Sequence, residues 1–230
     1  MTAGEALEAS AKAVSRQLTR WEIGVDGAIH AAAIVAAIVG GVVLLVLASG
    51  QGALDVVAVA IYAGGLLAML ACSAAYNLGA RSRHRYWLRN LDQAAIFLMI
   101  AGTYTPFTVL QLDGAWRLSL TTIVWAIACC GILLRFLHGR LFDKVAVAFY
   151  LSLGWMALVA VAPLVGALHA PVLIIGLLAA GGLLYSIGVI FHLWEKLPFQ
   201  NAIWHGFVVA AAAFHFAAVV VSIAASPGPV

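Results

Sequence analysis

Residues 26–48 read DGAIHAAAIVAAIVGGVVLLVLA, a stretch that is apolar except at Asp26 and His30 near its start. A helix needs about 20 predominantly apolar residues to cross the hydrocarbon core of a bilayer. Further apolar stretches of similar length follow it in the chain. They lie near 54–77, 91–111, 115–136, 145–166, 171–193 and 202–225. The sequence therefore predicts an all-α fold, a polytopic bundle of seven transmembrane helices.

The composition of the whole chain agrees with a membrane protein. Of its 230 residues, 65% are hydrophobic and 9% are charged, whereas soluble domains carry about 25% charged residues. So few charges cannot cover a water-exposed surface, which excludes a cytosolic enzyme, a nucleic-acid-binding module and a disordered chain. Cys72, Cys129 and Cys130 lie within the apolar stretches, so they do not indicate the disulfide framework of a small secreted protein.

The basic residues are distributed unevenly between the two sides of the predicted bundle. Eleven of the twelve lysines and arginines lie in the N-terminal segment or in the loops after spans two, four and six, and Arg117 lies on the opposite side. Cytoplasmic loops of membrane proteins carry an excess of positive charge. We therefore expect the N-terminus in the cytoplasm and the C-terminus outside, which agrees with an odd number of spans.

The chain divides into three segments by its hydrophobic pattern. Within residues 1–25, apolar side chains recur every three or four residues, as in an amphipathic helix that lies in the membrane interface. These side chains are Leu7, Ala11, Val14, Leu18 and Trp21. We predict an interfacial helix within 1–25, a seven-helix transmembrane domain over 26–225 and a flexible tail over 226–230.

Polar side chains concentrate at the predicted cytoplasmic ends of five helices. They include His30 in span one, Ser73 and Asn77 in span two, Asp92 in span three, His192 in span six, and Asn201 and His205 in span seven. Polar and ionisable groups are costly inside a membrane and mark functional sites. Ser73 and Asn77 are four residues apart, and so are Asn201 and His205. This spacing places both members of each pair on one face of a helix. Because bundles build metal and catalytic sites in this way, we expect these groups to form one site.

Other polar residues have a simpler interpretation. For Glu22, Asp26 and Glu195 we favour contact with lipid headgroups and water at the helix ends. His215 lies roughly 15 Å deeper than His205, at 1.5 Å per residue. We expect it to make a structural hydrogen bond with a neighbouring helix, for example to Thr103 or Tyr104.

Three stretches of the sequence resemble the hemolysin III family. They are SAAYN at 73–77, LDQAAIFLMIAGTYTPF at 91–107 and NAIWHGFV at 201–208. That family is grouped with the progesterone and adipoQ receptors and, more distantly, with the alkaline ceramidases. The resemblance covers nearly all of the chain from Glu22 to Ser222. It implies seven helices with a cytoplasmic N-terminus, in the inner membrane of a bacterium.

The resemblance also implies a set of site residues. The superfamily pattern is Ser-x-x-x-His on span two, Asp on span three and His-x-x-x-His on span seven. The three histidines hold zinc, and a water between the zinc and the Asp is the nucleophile. Ser73, Asp92 and His205 match this pattern, but Asn77 and Asn201 occupy the other two histidine positions. Zinc prefers imidazole, thiolate or carboxylate ligands, and a neutral amide oxygen is a weak substitute.

This departure leaves two interpretations of the site. In the first, the two asparagines join Ser73, Asp92 and His205 in a metal-free network of hydrogen bonds between helices. In the second, a metal site has been rebuilt, with His30 or His192 as a replacement ligand beside His205. The resemblance implies zinc as the metal.

We therefore predict an integral membrane protein that senses a membrane lipid or maintains lipid homeostasis, with a polar site that faces the cytoplasm. The assigned residues are Asp92 and Ser73 as catalytic groups, Asn77, Asn201, His205 and Tyr76 as ligand-binding groups, and His205 as a metal ligand. One alternative is a zinc-dependent hydrolase of lipid amides or esters, as the relation to ceramidases implies. A second is a pore-forming cytolysin, although the outer half of the spans lacks the continuous polar stripe of a pore.

Overall fold

The structure is a computed structural model, and it describes residues 18–79 and 82–225. Its α-helices are α1 (Arg20–Ser49), α2 (Ala53–Leu78), α3 (Arg85–Leu110), α4 (Gly114–Trp155), α5 (Val161–Ala167), α6 (Pro171–Leu193) and α7 (Gln200–Ala225). A short 3₁₀ segment, Met156–Ala160, joins α4 to α5.

Within the described residues, seven segments are long and apolar enough to cross a membrane. Five of them are α1, α2, α3, α6 and α7. The long helix α4 holds span four, Gly114–Gly139, and the start of span five, Val145–Ala167. The backbone of Gly139 leaves the helical region, with φ 6° and ψ −88°, so the chain bends between these two spans. The predicted all-α, seven-helix architecture is confirmed.

The first helix begins earlier than the sequence pattern indicated. A capping box at Thr19 starts α1, because the Thr19 hydroxyl accepts from the backbone N–H of Glu22 at 3.2 Å and the Glu22 carboxylate accepts from the N–H of Thr19 at 2.8 Å. Residues 20–25 therefore extend the first membrane helix. The rest of the interfacial helix predicted within 1–25, and the tail at 226–230, lie outside the described residues.

One face of α1 is buried against α2 and α7. Its buried residues recur every three or four positions, which is the stripe of a helix that packs on one side. They are Glu22, Asp26, His30, Ala33, Ala37, Gly41, Leu44 and Ala48. The small side chains in the middle of this stripe allow a close approach between helices, and the polar ones at its start lie beside α2 and α7.

Helices α2 and α3 make a close contact through two glycines. A Cβ atom added to Gly102 would lie 3.2 Å from the carbonyl oxygen of Ile61, and one added to Gly65 would lie 3.3 Å from that of Leu98. Such distances are too short for an unstrained contact with backbone. Each glycine therefore holds the two helices closer than a larger residue would permit. Gly64, the neighbour of Gly65, faces open space.

We expect Gly102→Val to destabilise the bundle by about 1–3 kcal/mol, because the branched side chain must push α2 away from α3. The lipid-facing change Gly64→Val is the matched control and should have a much smaller effect. Thermal unfolding of the two purified variants measures the difference. Equal melting temperatures would show that the helices do not approach as described.

Successive spans cross the membrane in opposite directions, so each side of the bundle holds the starts of some helices and the ends of others. The starts of α1, α3 and α7 lie on one side, together with the ends of α2 and α6 and the bend at Gly139. This is the side on which the sequence predicts the cytoplasm. The polar site predicted from the sequence is therefore assembled at one end of the bundle, from segments far apart in the chain.

Candidate functional site

Four buried polar side chains contact one another at this end of the bundle. They are Asp26 and His30 of α1, Ser73 of α2 and His205 of α7, and we call them the polar cluster. The carboxylate oxygen Oδ1 of Asp26 lies 2.6 Å from Nδ1 of His205. The hydroxyl of Ser73 lies 3.4 Å from Nε2 of His205 and 3.2 Å from Nε2 of His30. The two imidazole rings meet edge to face, with centroids 4.4 Å apart.

The hydrogen bonds determine which ring nitrogens carry protons. Nδ1 of His30 lies 2.9 Å from the backbone carbonyl oxygen of Asp26, and a carbonyl oxygen only accepts. Nδ1 of His205 faces the Asp26 carboxylate in the same way. Both Nδ1 atoms therefore donate, and in a neutral ring each Nε2 presents its lone pair. Both lone pairs point at the hydroxyl of Ser73.

The two asparagines that occupy histidine positions of the superfamily pattern, Asn77 and Asn201, continue the network. The side-chain nitrogen of Asn77 donates to the backbone oxygen of Ser73 at 2.9 Å and to its hydroxyl at 3.3 Å. The side-chain nitrogen of Asn201 donates to the amide oxygen of Asn77 at 3.4 Å. The sequence-predicted residues Ser73, Asn77, Asn201 and His205 thus come together in one connected set.

Asp92 and Tyr76 border the same site. The Asp92 carboxyl lies beside the Ser73 hydroxyl and near His205. The Tyr76 ring lies under the guanidinium of Arg85, whose carbon is 4.5 Å from the ring centroid. Arg85 also donates to the backbone oxygen of Tyr76 at 3.2 Å. Both predicted residues line the cavity described below.

Two other histidines of the membrane-spanning helices, the exposed His192 and the half-buried His215, take other positions. The His192 ring packs against Trp204, with centroids 4.9 Å apart, and it is not among the acidic and imidazole groups that lie within 4.8 Å of one another. His215 contacts the backbone oxygen of Leu178 at 3.2 Å. The expected partners of His215, Thr103 and Tyr104, were therefore wrong. Their hydroxyls donate to backbone oxygens of their own helix and of α4 instead.

Sequence reasoning missed two acidic residues that hold the site together. The carboxylate that contacts His205 is that of Asp26, which the pattern assigned to headgroup contact at a helix end. Glu22 accepts a hydrogen bond at 2.7 Å from the backbone N–H of Phe199, and this bond joins the start of α1 to the loop before α7. The signal was present in the spacing, because Glu22, Asp26 and His30 recur every four residues on one face of α1.

The donor set at the three positions that the resemblance assigns to zinc does not fit that metal. A neutral amide oxygen is a weak ligand for zinc, and the amide nitrogens of Asn77 and Asn201 donate hydrogen bonds and offer no lone pair. Asp26, His30 and His205 do offer ligand atoms within 4.8 Å of one another. However, the Asp26 carboxylate already accepts from His205, and its backbone oxygen accepts from His30. The described arrangement is a hydrogen-bonded cluster.

A cavity of about 650 Å³ lies next to the polar cluster. This is within the range of roughly 300–1,000 Å³ that is typical of ligand pockets. His30, Ser73 and His205 line its polar end, while Asp26, which contacts His205, does not line the cavity. His215 lines it as well, so the cavity extends roughly 15 Å along α7. Most of its wall beyond the polar end is made of apolar side chains.

Comparison with known proteins places the chain in a family. The family model described as "Haemolysin-III related" matches residues 24–216. The chain is 46% identical over 128 residues to "Hemolysin-3" of Bacillus cereus, covering 55% of this chain and 57% of that protein. It is 36% identical over 176 residues to the "Hemolysin-3 homolog" of Bacillus subtilis (strain 168), covering 76% and 82%.

A more distant similarity extends to animals. The chain is 29% identical over 205 residues to "Monocyte to macrophage differentiation factor" of Homo sapiens, covering 83% of this chain and 79% of that protein. The aligned region therefore spans slightly more than half of the Bacillus cereus protein and about four fifths of the other two. Since the family model matches most of the chain, this multi-pass membrane protein belongs to the haemolysin-III related family.

Proposed function

We propose that this protein senses a membrane lipid, or maintains lipid homeostasis, by binding the lipid between its helices. The observation that carries this proposal is the shape and lining of the 650 Å³ cavity. One end holds hydrogen-bonding side chains and the long remainder is apolar. That distribution matches a lipid, which has a polar group at one end of a hydrocarbon chain.

The mouth of the cavity supports a polar headgroup. The residues that line it lie near the start of α3, the end of α6 and the start of α7: Arg85, Arg89, Glu195 and Gln200. The basic residues near this end of the bundle favour its cytoplasmic orientation, since positive residues are retained on that side. We propose that the site faces the cytoplasm and that the chain lies in the inner membrane of a bacterium.

Blocking the cavity should remove the bound lipid. Val208 lines the cavity, and Val208→Trp would place an indole inside it. We expect lipid that copurifies with the protein, measured by native mass spectrometry, to fall at least about tenfold, the change that 1.4 kcal/mol of lost affinity gives. Val35→Trp is the matched control, because Val35 is 62% exposed on the outer face of α1. Equal lipid content in both variants would contradict the proposal.

A second candidate function is a metal-dependent hydrolase of lipid amides or esters. The observation in its favour is the proximity of Asp26, His30 and His205, whose ligand atoms lie within 4.8 Å of one another. Binding a metal there would require the cluster to give up its hydrogen bonds to Asp26. The zinc content of the purified protein separates this candidate from the first, and the expected result is argued in the Discussion.

A further inference from the structure

We propose that Ser73, His205 and Asp26 form a metal-free triad that cleaves long-chain acyl esters in the cavity. Ser73 is the nucleophile, His205 is the general base and Asp26 positions His205. The inference rests on the proposed lipid-binding cavity, since the acyl chain must lie there. It adds a covalent reaction that lipid sensing does not require.

The contacts follow the order that such a triad needs. The Asp26 carboxylate lies 2.6 Å from Nδ1 of His205, and Nε2 of the same ring lies 3.4 Å from the Ser73 hydroxyl. Nucleophile–base contacts are often this long in structures without substrate. A triad is recognised by geometry and roles, whatever the order of its members along the chain. Here the three members come from α2, α7 and α1.

His205 is better suited than His30 to accept the serine proton, although both rings and the Asp92 carboxyl contact the Ser73 hydroxyl. A carboxylate at Nδ1 stabilises the imidazolium that forms when Nε2 takes up a proton. His205 has that carboxylate at 2.6 Å, whereas the closest oxygen to Nδ1 of His30 is a neutral backbone carbonyl. The Asp26 carboxylate is 3.7 Å from His30, beyond hydrogen-bond distance.

The surroundings of Ser73 suit an acyl ester. Ser73 and His205 line the polar end of the cavity, and the apolar remainder can hold a hydrocarbon chain. Asp26 does not line the cavity. The side-chain amide of Asn77 donates to the Ser73 hydroxyl at 3.3 Å and helps to orient the nucleophile.

The reaction proceeds in two balanced steps. First, the Ser73 oxygen forms a bond to the ester carbonyl carbon while its proton moves to Nε2 of His205. The bond from that carbon to the alcohol oxygen then breaks, and His205 returns the proton to the departing alkoxide, leaving an acyl-Ser73. Second, a water molecule gives one proton to His205 and attacks the acyl carbon. The fatty acid leaves, and His205 returns the proton to the Ser73 oxygen.

The test uses the purified full chain and a fluorophosphonate that carries a long alkyl chain. An activated serine displaces fluoride from phosphorus, so a stable Ser–O–P bond reports the nucleophile without knowledge of the substrate. Peptide mass spectrometry locates the adduct. We expect about one adduct per chain, on Ser73, and unchanged labelling in the presence of a zinc chelator. The absence of an adduct on Ser73 in the unchanged protein overturns the proposal, as does loss of labelling on chelation.

Variants assign the three roles. We expect Ser73→Ala to give no adduct at this peptide and His205→Gln to slow labelling at least about 10²-fold, with a smaller effect of His30→Gln. Ser222→Ala is the matched control, since Ser222 is a buried serine near the other end of α7 that does not line the cavity. Equal slowing by His205→Gln and His30→Gln overturns the choice of base.

The test of Asp26 must distinguish a role in positioning His205 from a role in folding. We expect Asp26→Asn to slow labelling as strongly as His205→Gln does, and Asp26→Glu, which keeps a carboxylate, to restore part of the rate. Failure of Asp26→Glu to exceed Asp26→Asn, with both proteins eluting as the unchanged chain does, overturns the role of Asp26. The lipid-binding proposal can fail without the triad. In that case no lipid copurifies with the protein and Val208→Trp has no effect, yet a short-chain fluorophosphonate still labels Ser73.

Discussion

Replacing both Asn77 and Asn201 with histidine is expected to give a protein that purifies with about one zinc ion per chain, whereas the unchanged protein holds less than about a tenth of an equivalent. Asn201 already donates to Asn77 at 3.4 Å, and Asn77 donates to the Ser73 hydroxyl at 3.3 Å. Imidazoles at these positions would project toward the Nε2 lone pair of His205. Three imidazoles and a water complete a tetrahedral site of the kind that zinc prefers.

The physical reason is the exchange of donors for lone pairs. In the unchanged protein the amide nitrogens of Asn77 and Asn201 present hydrogens to the site, and hydrogens repel a cation. Zinc sites gain much of their affinity from ligands that deprotonate readily or carry an accessible lone pair. The amide oxygens of the asparagines are only weak zinc ligands, so we expect the hydrogen-bonded network to be the more stable state of this sequence.

Elemental analysis of protein purified without chelator, with and without added zinc, measures this difference. The single variants Asn77→His and Asn201→His should bind zinc more weakly than the double variant, because each supplies two imidazoles with His205 in place of three. Adding His205→Ala to the double variant should reduce the zinc content again. A full equivalent of zinc in the unchanged protein, lost in His205→Ala, would favour the metal-dependent hydrolase instead.

Much of the fold could be predicted because a bilayer imposes a simple length requirement. The apolar stretches alone located all seven spans, and the predicted bounds of span six, 171–193, agree with those of α6. The start of α1 was harder to predict. It depends on the Thr19 capping box and on the bond from Phe199 to Glu22, which joins residues 177 positions apart. A local pattern cannot contain a contact of that range.

The candidate site was predictable in its location but incomplete in its membership. Helix alternation and the spacing of four placed Ser73, Asn77 and His205 at one end of the bundle. The partner of His205 was not evident, because Asp26 and His205 are separated by 179 positions and an acid near a helix end has an ordinary explanation. His215 shows the same difficulty on a smaller scale, since its partner is a backbone oxygen that no side-chain pattern identifies.

A buried ion pair at the bend between spans four and five carries the largest expected effect on stability. Arg135 is 1% exposed, and its guanidinium donates to the backbone oxygen of Gly139 at 3.1 Å and to the carboxylate of Asp143. The other oxygen of Asp143 lies 3.0 Å from the guanidinium of Arg89 on α3. Asp143 therefore connects the bend to α3. Its carboxylate neutralises the buried charge of Arg135.

We expect Asp143→Leu to lower the free energy of unfolding by about 3 kcal/mol, because removing one partner leaves the other charge buried and unpaired. Arg135→Leu combined with Asp143→Leu should be less destabilising than Asp143→Leu alone, since the unpaired guanidinium is then absent as well. Chemical denaturation of the purified proteins measures these differences. Asp113→Leu is the matched control, because Asp113 pairs with Arg117 at the surface. The Asp113 side chain is 93% exposed and that of Arg117 is 42% exposed. Exposed pairs of this kind contribute less than about 1 kcal/mol. If Asp143→Leu were no more destabilising than Asp113→Leu, the charge of Arg135 would have to be neutralised or hydrated by groups other than Asp143.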